Sequence, residues 1–163
     1  MIIRQAHPEE AEVILALFVD EVRAGRMLPR TIESIRDHAE DWLVAEKYDQ
    51  VIGCVSLVHY NQALCEIRSL AVQEAYRGNG VARHLVEAAL LVAHAQGRQQ
   101  VLTLTRAAHL FEAAGFRHDM KEHFPEKVWR DCAPCPFRSA CDETALVYEF
   151  KHRREASNTD DSV

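Results

Sequence analysis

The run Arg77-Gly78-Asn79-Gly80-Val81-Ala82 lies between a strand-like stretch ending at Val72 and a stretch of helical periodicity. Backbone N–H groups at a helix start lack intrahelical acceptors, and the helix dipole adds positive potential, so such a turn suits an anion. Glycines at 78 and 80 let the backbone approach phosphate oxygens directly, and Arg77 and Arg83 can add charge. From these residues alone, a tight helix-capping turn reads the same way. A Walker loop needs a Gly-Lys-Ser/Thr ending that is absent, and a dinucleotide fingerprint would need a third glycine and a downstream acid.

A second candidate centre is Cys132-x2-Cys135-x5-Cys141, where three thiolates and a fourth ligand such as His123 could complete a zinc tetrahedron. The same thiols fit a reduced loop or a Cys132/Cys141 redox pair, and no metal is assigned to them. The nine histidines lack the short helical pairing of a metallohydrolase. His109 lies on the short helix after residue 106, where packing is its simpler role. Cys54 and Cys65 sit in strand patterns and read as small core residues.

The elements that must hold the turn follow from periodicity. Ile2-Ile3-Arg4 reads as a strand, and the helix from His7-Pro8 carries Val13, Leu17, Phe18 and Val22 at helical spacing toward Gly25. A second helix starts at Thr31 with Ile32, Ile35 and Ala39 on one face. Leu43-Ala45 and Val51-Val58 form a hairpin over Glu46-Gln50, and Cys65-Val72 is a third strand. Leu85, Val86, Ala89, Leu90 and Ala93 then run at helical spacing to Gly97, before a strand at Val101-Thr105. Ala107-Ala114 is a short helix stopped by Gly115, and Ala145-Phe150 closes the sheet. The class is α/β (α+β): a mixed, mostly antiparallel sheet with a central parallel crossover and helices on both faces.

With 163 residues, one domain over 1–150 and a polar, disordered tail over 151–163 are expected. The net charge of -6, with basic residues scattered, argues against a nucleic-acid partner. No run approaches a membrane span, no leader-like segment opens the chain, and the odd cysteine count argues against a disulfide framework. A soluble cytoplasmic protein with no membrane partner is expected.

With Leu70-Ala71-Val72 before it and Ala113-Ala114-Gly115-Phe116 after it, the Arg77-Ala82 turn resembles the pyrophosphate loop of the GNAT acetyltransferase superfamily. Ala75 departs from the Gln or Arg that many members carry. Leu28-Pro29-Arg30-Thr31, Glu66-Ile67-Arg68-Ser69-Leu70-Ala71-Val72, Leu104-Thr105-Arg106, His109-Leu110-Phe111 and Phe124-Pro125-Glu126-Lys127 narrow the resemblance to the N-acetylglutamate synthases. The likeness is to their short, stand-alone form, because the chain has no room for an amino-acid-kinase-like domain.

The resemblance implies a GNAT fold and transfer of acetyl from the co-substrate acetyl-CoA to the amine of L-glutamate, the first step of arginine biosynthesis. No prosthetic group is implied, and a homodimer is possible. It assigns Glu66 as general base, with the backbone N–H of Val72 at the developing oxyanion. Leu70, Ala71, Val72, Arg77, Gly78, Asn79, Gly80, Val81, Ala82, Thr105 and Phe111 would hold the cofactor, with Leu102-Thr105 completing the acetyl slot. Phe111 replaces the tyrosine acid of many relatives, as it does in the synthases. Leu28, Arg30, Ser69, Arg106 and Lys127 would surround glutamate, arginine's planar fork being suited to carboxylates. The alternatives are another acceptor, such as glutamine or a small amine, and a non-catalytic CoA-binding sensor.

Overall fold

The computed structural model describes residues 1–151. The tail expected over 151–163 therefore lies, apart from Lys151, outside the described residues. Seven strands form one sheet: β1 (Ile2–Gln5), β2 (Trp42–Lys47), β3 (Gln50–His59), β4 (Leu64–Val72), β5 (Gln100–Thr105), β6 (Arg117–Asp119) and β7 (Thr144–Glu149), in the order β1-β2-β3-β4-β5-β7-β6. All neighbouring pairs are antiparallel except β4 and β5. The parallel pair needs a crossover, and helix α3 (Val81–Ala95) supplies it, making the expected strand, glycine turn, helix, strand unit.

Helices α1 (Ala11–Arg23) and α2 (Ile32–Asp37) cover one face of the sheet, burying Ile14, Phe18 and Ile35 against Trp42, Val44 and Cys54. Helix α3 and the short α4 (Ala108–Ala113) cover the other, where Leu85, Val86, Ala89 and Phe111 meet Val55, Ile67 and Leu146. The central strands are buried on both sides, which explains the nearly unbroken apolar run Val51–Val58 of β3. Helix α2 is shorter than the Ile32, Ile35, Ala39 spacing predicts. It stops at Asp37, and a 3-10 turn over Ala39–Asp41 carries Ala39 into the core instead. Cys54 and Cys65 are buried in β3 and β4, as their strand patterns suggest.

At the N-terminus of α3 the helix presses on the sheet at Gly53. A Cβ added there would lie 3.1 Å from the Ala71 carbonyl oxygen, 3.1 Å from Leu85 and 3.3 Å from Val81. Gly53→Val overpacks this contact between β3, β4 and α3, and it is expected to cost about 1–3 kcal/mol. Chemical denaturation checks it: the midpoint should fall with an unchanged m-value.

Strand β4 departs from regular pairing on both of its edges. It pairs with β5 only from Leu64↔Gln100 to Glu66↔Leu102, after which the strands part. The Thr103 hydroxyl donates to the Ile67 carbonyl at 3.0 Å as a last tie between them. Opposite β3 the register gains one residue, with Cys54 facing Ala71 and Ser56 facing Arg68. Ser69 absorbs this bulge at φ 54°, a left-handed conformation that serine seldom adopts.

Candidate active site

The splay between β4 and β5 opens a cleft of about 410 Å³. Its walls are Glu66 to Leu70 of β4, Thr103 to Thr105 of β5, the loop after α1 and the segment from Lys127 to Glu143. Glu66 sits at the divergence with only 2% of its surface exposed. A carboxylate buried so deeply must be paired. The Lys127 ammonium is 2.9 Å from Glu66 Oε1 and 3.0 Å from Oε2, and the Tyr60 hydroxyl is 2.5 Å from Oε2.

Lys127 comes from α5 (Pro125–Lys127), which runs directly into a π-helical turn over Val128–Cys132. This geometry brings Asp131, four residues on, back to Lys127 at 3.2 Å. Asp131 also receives Arg68 Nη1 at 3.1 Å, and its Oδ2 lies 2.8 Å from the Tyr60 hydroxyl oxygen. Burial alone would raise the Asp131 carboxyl, but Lys127, Tyr60 and Arg68 together hold it below its ordinary range. Tyr60 is pushed well above its ordinary value by burial, reinforced by Glu66 and Asp131 on either side. Tyr60, Asp131 and Arg68 are functional candidates that the sequence alone leaves unassigned.

Arg30 lies across the cleft. Its one hydrogen bond is a long 3.4 Å contact to the Pro29 carbonyl, and no described carboxylate forms an ion pair with it. Burial lowers its guanidinium to about 10, and nearby Arg68 pushes it the same way. Arg68 Nε and Ser69 Oγ are buried without a hydrogen-bond partner in the protein. Two carboxylates, Glu66 and Asp131, thus face three cations, Lys127, Arg68 and Arg30. Glu143 and Glu21, also in the lining, pair with Arg106 and Arg26, so among the described residues Arg30 is the cleft cation without an ion pair, a place open to an acceptor's carboxylate.

Leu28, Arg30, Ser69, Arg106 and Lys127, the five positions expected to hold the acceptor, all line the cleft. Two of them spend their charge elsewhere. Lys127 is committed to Glu66 and Asp131. Arg106 donates to Asp142 at 2.8 Å, Glu143 at 3.3 Å and the Arg26 carbonyl at 2.7 Å, stapling the loop after α1 to the segment before β7. Arg30 forms no ion pair among the described residues, and Arg68, though paired with Asp131, keeps an unpartnered Nε.

Of the positions expected at the cofactor, Leu70, Thr105 and Phe111 line the cleft. Phe111 packs edge-on against Phe116, with ring centroids 5.2 Å apart. Ala71 and Val72 lie beyond its lining, at the end of β4 opposite Cys54 and Gly53. The Arg77-Ala82 turn comes next in the chain. Gly78 and Gly80 both take positive φ, 76° and 78°, and Gly80 caps α3. A Cβ at Gly78 would meet nothing within 4 Å, so glycine serves the backbone conformation and leaves the turn open. The helix that begins here runs 15 residues, presenting unpaired N–H groups at Val81 and Ala82. Arg77 Nε is anchored to the Val72 carbonyl at 3.0 Å, and Arg83 is paired with Glu87 at 2.8 Å.

Among the described residues the ligand atoms of Cys132, Cys135 and Cys141 do not converge; the one converging group is the surface trio His38, Glu40 and Asp41. All three thiols are unpaired, and Cys135 and Cys141 line the cleft beside Phe137. His109 is an exposed residue of α4 outside the cleft lining. No helix among the described residues is long and apolar enough to cross a membrane.

Comparison with known proteins agrees with this fold. Residues 38–118 match the family described as acetyltransferase (GNAT) domain. An uncharacterised N-acetyltransferase of Chlorobaculum tepidum is 42% identical over 145 residues, covering 89% of this chain and 94% of that protein. The amino-acid acetyltransferase of Mycobacterium tuberculosis is 30% identical over 118 residues, covering 71% of this chain and 67% of its own length. Among solved structures, N-acetylglutamate synthase from Neisseria gonorrhoeae complexed with coenzyme A and N-acetyl-glutamate superposes with a TM-score of 0.79. It is 22% identical, and the match covers 93% of this chain but 35% of that one.

Proposed function

Because the chain belongs to the GNAT family of N-acetyltransferases, we propose that it transfers the acetyl group of acetyl-CoA to the α-amine of L-glutamate. This activity would stand at the first step of arginine biosynthesis. The observation that carries the acceptor's charge is Arg30, a half-buried guanidinium that forms no ion pair among the described residues, lining the cleft with Arg68 and the unpartnered Ser69 hydroxyl. An acceptor carboxylate would satisfy groups that the protein leaves unsatisfied. Relatives named for amino-acid acetyl transfer, and a structural neighbour holding N-acetyl-glutamate, support the same reading.

The chemistry follows from the groups that face the cleft. An amine attacks a thioester only when neutral, so Glu66, directly or through one water, takes its proton. Lys127 keeps the Glu66 carboxylate compensated while that oxygen waits to accept. The backbone N–H groups on the β5 side of the splayed, bulged β4 meet the developing oxyanion. The turn at Gly78 to Ala82 takes the pyrophosphate of CoA, Arg77 steadying it from β4. Phe111 offers no proton, so the thiolate leaves without a side-chain acid.

The test is thiol release from acetyl-CoA against each of the twenty amino acids, repeated with Arg30→Ala. Saturable turnover with glutamate is expected, and a preference for glutamine or an amine would overturn the acceptor. Losing a charged hydrogen bond worth about 1.5–3 kcal/mol should raise the glutamate KM roughly 10- to 100-fold. The acetyl-CoA KM should move little; equal effects on both would remove Arg30 from the acceptor site.

A further inference from the structure

A base that accepts a proton in every catalytic cycle must also lose it, and Glu66 is badly placed to lose one to water. It is 2% exposed, and its open side is the cleft that both substrates fill. Lys127 cannot take the proton, since an ammonium has no acceptor lone pair. The remaining neighbour is Tyr60, whose hydroxyl oxygen lies 2.5 Å from Glu66 Oε2 and 2.8 Å from Asp131 Oδ2. One phenolic proton thus stands between two carboxylates.

We propose that Tyr60 and Asp131 form the route by which the substrate-derived proton leaves Glu66. The inference rests on Glu66 acting as the base. The O–H bond formed on Glu66 breaks as the proton moves to the Tyr60 oxygen, and the original Tyr60 O–H bond breaks as its proton moves to Asp131 Oδ2. Tyr60 ends with one proton, Glu66 returns to carboxylate, and the side chain of Asp131, 19% exposed, passes the proton to solvent.

The surroundings suit this path. Burial and the two carboxylates disfavour the phenolate, so Tyr60 conducts a proton without becoming a stable anion. Arg68 at 3.1 Å and Lys127 at 3.2 Å keep Asp131 ionised and ready to accept. The Arg130 guanidinium lies over the Tyr60 ring, 5.3 Å from its centroid, and also donates to the His59 carbonyl at 3.3 Å, fixing the ring from outside. Glu66 comes from β4, Tyr60 from the β3–β4 turn and Asp131 from the π turn, so the hairpin and the π turn meet at the Tyr60 hydroxyl.

Tyr60→Phe keeps the ring and removes the proton carrier. In weakly buffered solution its kcat should fall roughly 10- to 100-fold, less than the roughly 10²- to 10⁴-fold that a positioned acid or base itself contributes. Added imidazole, a small neutral base that can reach Glu66 once the products have left the cleft, should restore kcat saturably while leaving the wild type unchanged. Asp131→Asn should show the same imidazole-dependent recovery, and it carries the test if Tyr60→Phe does not fold. Wild-type kcat in Tyr60→Phe overturns the relay, as does a loss that imidazole leaves untouched, which would make Tyr60 only a positioning residue for Glu66. Glu66→Gln measured in parallel separates the two ideas: a fast Glu66→Gln enzyme removes the base itself, whereas a slow one beside a fast Tyr60→Phe removes the relay alone.

Discussion

Glu66→Gln is expected to lower kcat by roughly 10²- to 10⁴-fold at neutral pH, the range for loss of a positioned general base. Glutamine fills the same volume and can still accept from Tyr60, and Lys127 keeps its pair with Asp131, so both KM values should change little although stability falls. One of the two Lys127 contacts is lost, since the new amide NH₂ is itself a donor facing the ammonium. The residual rate should climb as pH rises through the acceptor amine's own pKa, because free amine then forms without help. A pH–rate profile of both enzymes with saturating acetyl-CoA makes the check. A variant keeping more than about a tenth of wild-type kcat would leave catalysis to positioning and the oxyanion contacts, with Glu66 as a buried structural acid.

Some of this site is legible in the sequence and some is not, for physical reasons. The glycines at 78 and 80 stand out because they sit at a change of period, from strand to helix, and both need positive φ. Glu66 and Arg30 lie in short segments whose residue order matches a family. Arg68 stands within the same strand as Glu66 yet goes unassigned, because β4 is buried on both faces and its alternation carries no signal. Tyr60 reads as part of a polar hairpin turn. Asp131 needs the Val128–Cys132 segment to be helical, whereas Pro125 before it and the run of cysteines after it suggest a loop. The spacing of Lys127 and Asp131 is visible, but its meaning depends on a wide turn that no local pattern announces.

The cysteines show the opposite case. Their spacing is visible and suggests metal, yet the backbone between 132 and 141 does not bring the three sulfurs together. Spacing constrains a site only where the intervening backbone is regular. The mid-strand bulge at Ser69 is equally silent in sequence, since serine gives no warning of a left-handed φ, although the splay of β4 from β5 and this bulge together make the cleft.

Lys127→Met is expected to destabilise the protein by about 3–5 kcal/mol, the cost of removing one partner from a buried ion pair. Lys127 has 9% of its side chain exposed and touches both Glu66 and Asp131. Methionine matches its length but leaves Glu66 with only Tyr60, and Asp131 with Arg68 and Tyr60. The sign of the pH dependence comes from Asp131, whose carboxyl is held low despite burial, with Lys127 the leading opposing cause. A group depressed on folding contributes stability above its unfolded pKa and loses it as pH falls through the folded value. The wild type therefore gains from this contact at neutral pH and loses the gain in acid. Without Lys127 the Asp131 carboxyl should rise, so the stability gap between wild type and variant should be widest near pH 7 and narrow below about pH 4. Urea unfolding across that range measures it. A gap that stays constant would assign the loss to packing of the lysine stem, and a gap under about 1 kcal/mol would mean that Glu66 and Asp131 find water or protons without cost. Glu66→Gln made in the Lys127→Met background should recover part of the loss, because a neutral amide at 66 no longer needs the cation that was removed.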